Sequence, residues 1–419
     1  MSTICILSLT GIDDSDDAST SSDEIFDDVL DTIHSIYKLQ NITSRSSVGD
    51  WVYSLHNVCL ASMGLGRYAE GLKLCQWECD VWRVLAKNSP KEFNASFVVC
   101  LTNLTACLTS LVRDEEALAA TEEAIKVQRT ITSDLSLSLS LERRATLLAR
   151  CGRGQEAVEQ MQEVVKINKS LAYAHGSGNE HIEAQYARSL SSYSDSLIDD
   201  RQCDTACGVA KEAIDIQRKL IQKARDSDSS NLQFQLSSSL LSLADALLHK
   251  AEPDAEGALK ASQEACDVLR ILSDIDSDSY EKHLAPALVT LYQCQTTLRQ
   301  KEEAAKSISE AVRIKRMFAQ EFPEKDIVFD LEKLCRAYYN SKQYELALET
   351  VVEALEIRHR MVSGEGPYAS DGNSDKASAK KHLLKDLDYK SYCLGKLGRN
   401  DEADLVEKKI EELQLADSK

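Results

Sequence analysis

Four groupings in this 419-residue chain have residue types suited to chemistry, and each lacks the setting that chemistry requires. GLGRYA at 64–69 has the glycine spacing of a dinucleotide-binding turn, which works by placing backbone amides against a pyrophosphate between a strand and a helix. Here both flanks have helical spacing. DIDSDSYEKHLA at 274–285 begins like a calcium loop, but Ser279 stands where the sharp turn needs glycine and Ala285 where a bidentate glutamate closes the site. Cys75/Cys79 and Cys203/Cys207 are each one helical turn apart and could offer two thiolate ligands per pair. No histidine lies within a few residues of either pair, so they read as small packed thiols. The 8 histidines are scattered singly, and no phosphate-binding Gly-Lys-Ser/Thr loop or His-Glu-x-x-His helix occurs. The chain reads as no enzyme, with no cofactor and no metal.

The elements that would have to position any site repeat along the chain. A seven-residue phrase recurs as EAIKVQR at 123, EVVKINK at 163, EAIDIQR at 212, EACDVLR at 264, EAVRIKR at 310 and EALEIRH at 353, with WECDVWR at 77 and a worn KIEELQL at 409. Self-similarity at about 40–50 residues marks a solenoid. Six residues before each phrase stands a small mark: Gly71, Ala117, Ala157, Ala206, Ala258, Ala304, Ala347 and Ala403. Each mark and the residue seven beyond it, as in Ala117 with Ala124 or Ala206 with Ala213, fall on one helix face two turns apart. Small side chains in such a row let a second helix approach closely. Just before the mark the chain turns, through Gly-Arg at 66, 152 and 398 and through polar residues elsewhere, and upstream of the turn lies another amphipathic segment. LSLSLSL at 135–141 alternates with strand period, but the repeat register demands a helix there.

Composition agrees. With 16 glycines and 5 prolines the chain has few breakers, which favours helices. The net charge of −19 includes nine acidic residues between Asp13 and Asp31 with no Lys or Arg among them. That balance repels phosphate backbones and anionic lipid, so neither nucleic acid nor a membrane is expected as partner; a neutral or basic protein or peptide is. The 13 cysteines, an odd number mostly at helix-periodic positions, point to a reducing cytoplasmic location. The uncharged stretch from Phe93 to Val112 is long enough to span a bilayer but carries seven Asn, Ser and Thr residues and fits the repeat register.

The paired small residues, the Gly-Arg turn and the preceding Leu-rich helix resemble the tetratricopeptide repeat, and phrases such as EAIDIQRKL resemble its long-period kinesin-light-chain-like variety found in fungal proteins. The resemblance spans residues 50–415 and implies an all-α solenoid of about eight helix-turn-helix repeats forming a right-handed superhelix. Gly71 and Glu78 in the first copy and Ile410 in the last depart from the small-residue pattern, as end copies do. Residues 1–24 read as an acidic Ser/Asp-rich disordered terminus, 25–49 as an N-terminal capping helix, and 363–377 as a loop insertion.

Fourteen residues before the small marks runs a polar row: Asn57, Asn103, Arg143, Ser192, Thr290 and Lys333, with Ser242 after allowing two extra residues in the 249–257 turn. In kinesin-light-chain-like repeats an Asn here lines the concave groove and bonds a peptide backbone. Asn57 and Asn103 match that residue; the others share only the position, and a solvated polar wall remains the alternative. The basic residue closing each phrase (Arg83, Arg129, Lys169, Arg218, Arg270, Arg316) reads as a cation at the negative end of its helix, with a ligand-contacting row as the other reading. The resemblance thus implies a scaffold that binds a peptide or protein in its groove. The alternative is the sensor half of a nucleotide-switch or caspase-like signalling protein, neither of whose partner domains is present.

Overall fold

The computed structural model describes residues 45–131, 134–174, 179–224, 226–322, 324–363 and 373–417. The expected acidic terminus, residues 25–44 of the expected capping helix and residues 364–372 of the expected insertion lie outside these. Residues 373–377, also assigned to the insertion, are helical. The chain divides into two compact units at Gly152. The first holds α1 (Arg45–Gly64), α2 (Tyr68–Asn88), α3 (Pro90–Ser110), α4 (Asp114–Gln128) and α5 (Asp134–Arg150). The second holds α6 (Gly154–Ala174), α7 (Glu180–Asp199), α8 (Cys203–Lys223), α9 (Asp226–His249), α10 (Ala255–Ile275) and α11 (Ser277–Thr297). It continues through α12 (Lys301–Met317), α13 (Glu324–Asn340), α14 (Tyr344–Ser363), α15 (Asn373–Lys396) and α16 (Asn400–Asp417). No strand occurs among the described residues. The alternating serines and leucines of 135–141 are helical within α5, as the register requires.

Odd-numbered helices are the first (A) helices of the repeats and even-numbered ones the second (B). Within each unit every helix packs against its neighbours in sequence, joined by turns that force antiparallel pairs. Seven of the eight A-to-B turns are three residues long, and the middle residue of each has positive φ: Gly66, Gly152 and Gly398, but also Val112, Arg201, Arg299 and Lys342. At Gly66, Val112, Arg201, Arg299, Lys342 and Gly398 the amide after it bonds back to the carbonyl five residues earlier, as in Arg67 N to Ser62 O at 2.9 Å and Gln202 N to Leu197 O at 2.7 Å, which closes the helix end in a Schellman motif. The polar turns therefore do the same work as the Gly-Arg turns, at the steric cost of a Cβ in the left-handed region. The eighth turn, 250–254, has the two extra residues, and Asp254 caps α10 by accepting from Gly257 N at 2.9 Å.

Within each unit the small marks are where A and B meet. Ala117, Ala157, Ala206, Ala258, Ala304 and Ala347 are all buried, as are the residues seven beyond them, Ala124, Val164, Ala213, Ala265, Ala311 and Ala354. In the first repeat Glu78 occupies the second place and is buried too, bonded to Trp82 Nε1 and His56 Nδ1, each at 3.1 Å. The apolar α3, the one described helix long and apolar enough to cross a membrane, packs between α2 and α4 and buries Phe97, Leu101, Leu104 and Leu108.

Five of the basic residues that close the phrases, among them Arg316 in the last turn of its helix, also pair across repeats. Arg83 pairs with Glu123 at 2.8 Å, Lys169 with Glu212 at 4.0 Å, Arg218 with Glu264 at 2.7 Å, Arg270 with Glu310 at 2.9 Å, and Arg316 with Glu353. Each glutamate opens the phrase of the following repeat, so within each unit the last letter of one phrase and the first of the next form ion pairs that ladder the B helices. The A helices instead touch directly: α1 with α3, α7 with α9, α9 with α11, α13 with α15. They are the closely spaced row.

Ala213 is fully buried against Tyr186 and Leu190, so Ala213→Trp should cost at least the ~1–3 kcal/mol of overpacking. Arg218→Ala, which removes an exposed ladder pair, should cost about 1 kcal/mol at most. Melting curves of both variants check this; equal shifts would contradict the assignment of Ala213 to the helix contact.

Candidate functional site

On an A helix the residues four before and three after a given position share its face. Around the polar row this gives stripes such as Val99, Asn103 and Ala106 on α3, Leu139, Arg143 and Thr146 on α5, and Phe329, Lys333 and Arg336 on α13. Val99, Leu139 and Phe329 are exposed large apolar side chains, so the row is flanked by unburied hydrophobic surface.

In the first unit Asn57 on α1 is exposed and Asn103 on α3 is half-buried. The Asn103 amide nitrogen is itself buried and has no hydrogen-bond partner among the described residues. Arg143 on α5 reaches solvent, yet the surrounding protein strips enough hydration to hold its guanidinium below its ordinary pKa. That combination fits a side chain lying along a wall.

In the second unit the row is less uniform than its spacing suggests. Ser192 on α7 and Thr290 on α11 are half-buried, and Thr290 bonds back to Pro286 O at 3.4 Å. Ser242 on α9 is buried and donates to Asp195 on α7. Lys333 on α13 donates to Asp330 at 2.7 Å, an acid it shares with Lys315 at 2.6 Å. Further along, Tyr292 OH donates to Lys333 O at 3.4 Å and Arg336 Nε to Tyr389 OH at 3.0 Å. Three of these bonds tie α9 to α7, α11 to α13 and α13 to α15, while the Lys333 side chain bonds within its own helix. Tyr389 is the eighth member of the row, fourteen residues before Ala403, and Asp195 and Arg336 lie one turn on. The fourteen-residue count applied to the last repeat would have found Tyr389. The bonds to Asp195 and Arg336 cross between repeats and leave no local signal.

Charge is unevenly placed on this unit's A face. Lost hydration, with repulsion from Asp199 and Asp245, pushes the Asp195 carboxyl up to about 6 despite the bond from Ser242. Beyond it Lys333, Arg336 and Lys385 are basic. Behind them Arg358, fully buried, bonds Glu332 and Asp386 and stacks on Phe329 with its guanidinium carbon 4.9 Å from the ring centre. Burial and the Glu332 charge raise Asp386 to about 7. This network joins α13, α14 and α15, and such buried pairs are costly to break.

One group of side chains among the described residues could hold a metal ion: the sulfurs of Cys59, Cys75 and Cys107, from α1, α2 and α3. Cys79, one turn from Cys75, faces a different partner, Cys100, at 2.7 Å. The helical pair suggested by spacing is therefore split between two neighbourhoods.

The sequence profile of the anaphase-promoting complex subunit 5 family matches residues 25–143, 132–172 and 262–321. No curated protein sequence matches the chain. Among solved structures the apo form of RapI is similar over 87% of this chain and 96% of its own, at 13% identity and a TM-score of 0.50. A Rap protein complexed with competence and sporulation factor aligns over 88% and 98%, at 14% identity and a TM-score of 0.44. The nearly identical TPR-like repeats of a putative kinesin light chain from Podospora anserina align over 68% and 97%, at 16% identity and a TM-score of 0.31. The RapI likeness shows the fold, a tetratricopeptide-type stack of helix pairs.

Because its folded pKa lies above the ordinary ~4 of an aspartate, Asp195 supports folding fully below about pH 4, and that support is lost as pH rises through about 6. Asp195→Asn should therefore melt higher than the parent at pH 7.5 and gain nothing at pH 4. A difference that is the same at both pH values would contradict the crowding of Asp195.

Proposed function

We propose that this tetratricopeptide-type repeat chain is a binding scaffold whose A-helix face takes an extended peptide or protein segment. The observation that carries the proposal is Asn103. Its amide nitrogen is buried without a partner among the described residues, on a face flanked by the exposed Val99 and Leu139. An unpaired buried donor costs about 1–3 kcal/mol, and a backbone carbonyl of a bound segment would satisfy it while the amide oxygen accepts an N–H. Asn57 presents the same group from the neighbouring A helix of the same unit. Exposed apolar side chains beside the row would take the alternate side chains of an extended ligand.

The net charge of −19 favours a neutral or basic partner. No disulfide joins any two of the described cysteines, in keeping with a reducing compartment such as the cytoplasm. The matched family is named for a subunit of a complex, which accords with a protein partner. The B-helix ladder satisfies its own charges, so the basic row belongs to the framework rather than to the ligand.

A peptide selected by display against the immobilised full-length chain provides the probe. Changing Asn57 and Asn103 together to Ala should weaken it about tenfold or more, at ~0.5–1.5 kcal/mol per lost bond, with little change in melting. Changing Arg218 and Arg270 to Ala should leave affinity within about twofold, since exposed pairs contribute little. Loss of binding in the arginine variant with retention in the asparagine variant would place the ligand on another face.

A further inference from the structure

Three sulfur atoms from three helices converge at the junction of the first two repeats. Cys59 Sγ lies 2.8 Å from Cys75 Sγ, Cys75 Sγ lies 4.0 Å from Cys107 Sγ, and all three fall within 4.8 Å of one another. None of the three side chains reaches solvent. The thioether of Met63 is a fourth sulfur, 3.9 Å from Cys59 Sγ. Gly71 makes the space: a Cβ there would stand 3.3 Å from Met63 Cγ and 3.4 Å from Cys107 Sγ. The first repeat thus has glycine where its successors carry alanine.

The same three register positions meet in other repeats. They lie twelve residues before a mark, four after it, and ten before the next mark. Thr105 and Thr121, the first two in the second repeat, bond at 3.2 Å. Ser262 and Cys294, the last two at the fifth junction, lie 3.5 Å apart. In the seventh repeat the set is Cys335, Val351 and Cys393, buried in one cluster. Elsewhere the three places take other side chains, from the hydroxyls of Thr105, Thr121 and Ser262 to the larger Met161, Tyr292 and Ile308. Only the first junction fills all three places with thiols.

We propose that Cys59, Cys75 and Cys107 bind a soft monovalent d10 cation, Cu(I), in three-coordinate all-sulfur geometry. The donors are thiols with a thioether nearby, the set that selects Cu(I) over harder ions. A structural zinc site wants four N or S ligands in a tetrahedron, and this site offers three thiolates. At a metal–thiolate bond of ~2.3 Å, trigonal coordination places sulfurs about 4 Å apart. Cys75 and Cys107 already have that separation, and Cys59 reaches it by moving about 1 Å away from Cys75. Each thiol that binds releases its proton to solvent, and no electron is transferred. Entry needs α1 and α2 to part locally, the kind of opening native proteins undergo below the global unfolding limit. The bound ion would clamp α1 to α3, the helices that carry Asn57 and Asn103.

The test uses the reduced full-length chain under anaerobic conditions, with Cu(I) supplied from its bathocuproine disulfonate complex. The parent should withdraw one Cu(I) per chain and show a thiolate-to-copper charge-transfer band. Cys75→Val, which installs the residue the seventh repeat carries at this position, should weaken retention ~100-fold or more. Val351→Cys completes the second set and should raise the capacity to two, a gain that misfolding cannot mimic. Equal retention by the parent and Cys75→Val overturns the proposal, as does stronger retention of Zn(II) than of Cu(I).

Discussion

Within each unit, the close approach of a B helix to its A helix, at two small residues seven apart, is the constraint from which the other regularities follow. Where Ala206 and Ala213, or Ala304 and Ala311, are fully sealed between helices, neither helix can slide or rotate without driving a larger side chain into the contact. Every other position is then set by its distance from the mark. Residues fourteen before it come to one face of the A helix. Residues six and twelve beyond it come within ion-pair reach of the neighbouring B helices. Residues twelve before and four after it meet at the junctions. The mark acts as the origin of a coordinate system that each repeat reads in the same way.

The two sides of the stack then divide the labour by side-chain length. Closely spaced A helices touch through short groups, such as Ser191 with Ser239 and Ser242 with Asp195. The B helices are bridged by Arg and Glu, which span the wider gap. Exposed ion pairs of this kind contribute about 0–1 kcal/mol each, so the ladder adds more to register than to stability. It stops at the last repeat, where His359 holds the arginine's place and Lys409 the glutamate's; lost hydration and the Lys409 charge depress the His359 pKa. At that end the buried Arg358 network supplies the linkage instead.

Most of the fold was legible in the sequence because its signals are local. The small marks, the turns before them and the two-residue excess at 249–257 all lie within one helix pair. The polar turns are a partial exception, since nothing about Val112 or Lys342 announces a positive φ; the register does. The ladder itself left no local signal, because each arginine's partner is about 40 residues away, as Glu123 is from Arg83 and Glu264 from Arg218. The same distance hid the thiol junction: Cys75 and Cys79 are visible as a helical pair, whereas Cys59 and Cys107 join Cys75 only in space. Gly71, which reads as the irregularity of an end copy, is accounted for by the sulfurs packed against it. The polar row was found by counting, but counting could not separate Ser242 and Lys333, which bond within the wall, from Asn103, whose amide has an open valence.

The central claim is that the A-helix face, ordered by the small marks, is the surface that meets a partner while the B-helix ladder is framework. Hydroxyl-radical footprinting of the full-length chain, with and without a display-selected peptide, tests it most directly. The account predicts reduced labelling of Val99 and Leu139, which flank Asn103 and Arg143, and unchanged labelling of Val84 and Ile271, exposed apolar residues beside Arg83 and Arg270 on the B helices. Protection of Val84 and Ile271 with Val99 and Leu139 unchanged would contradict it.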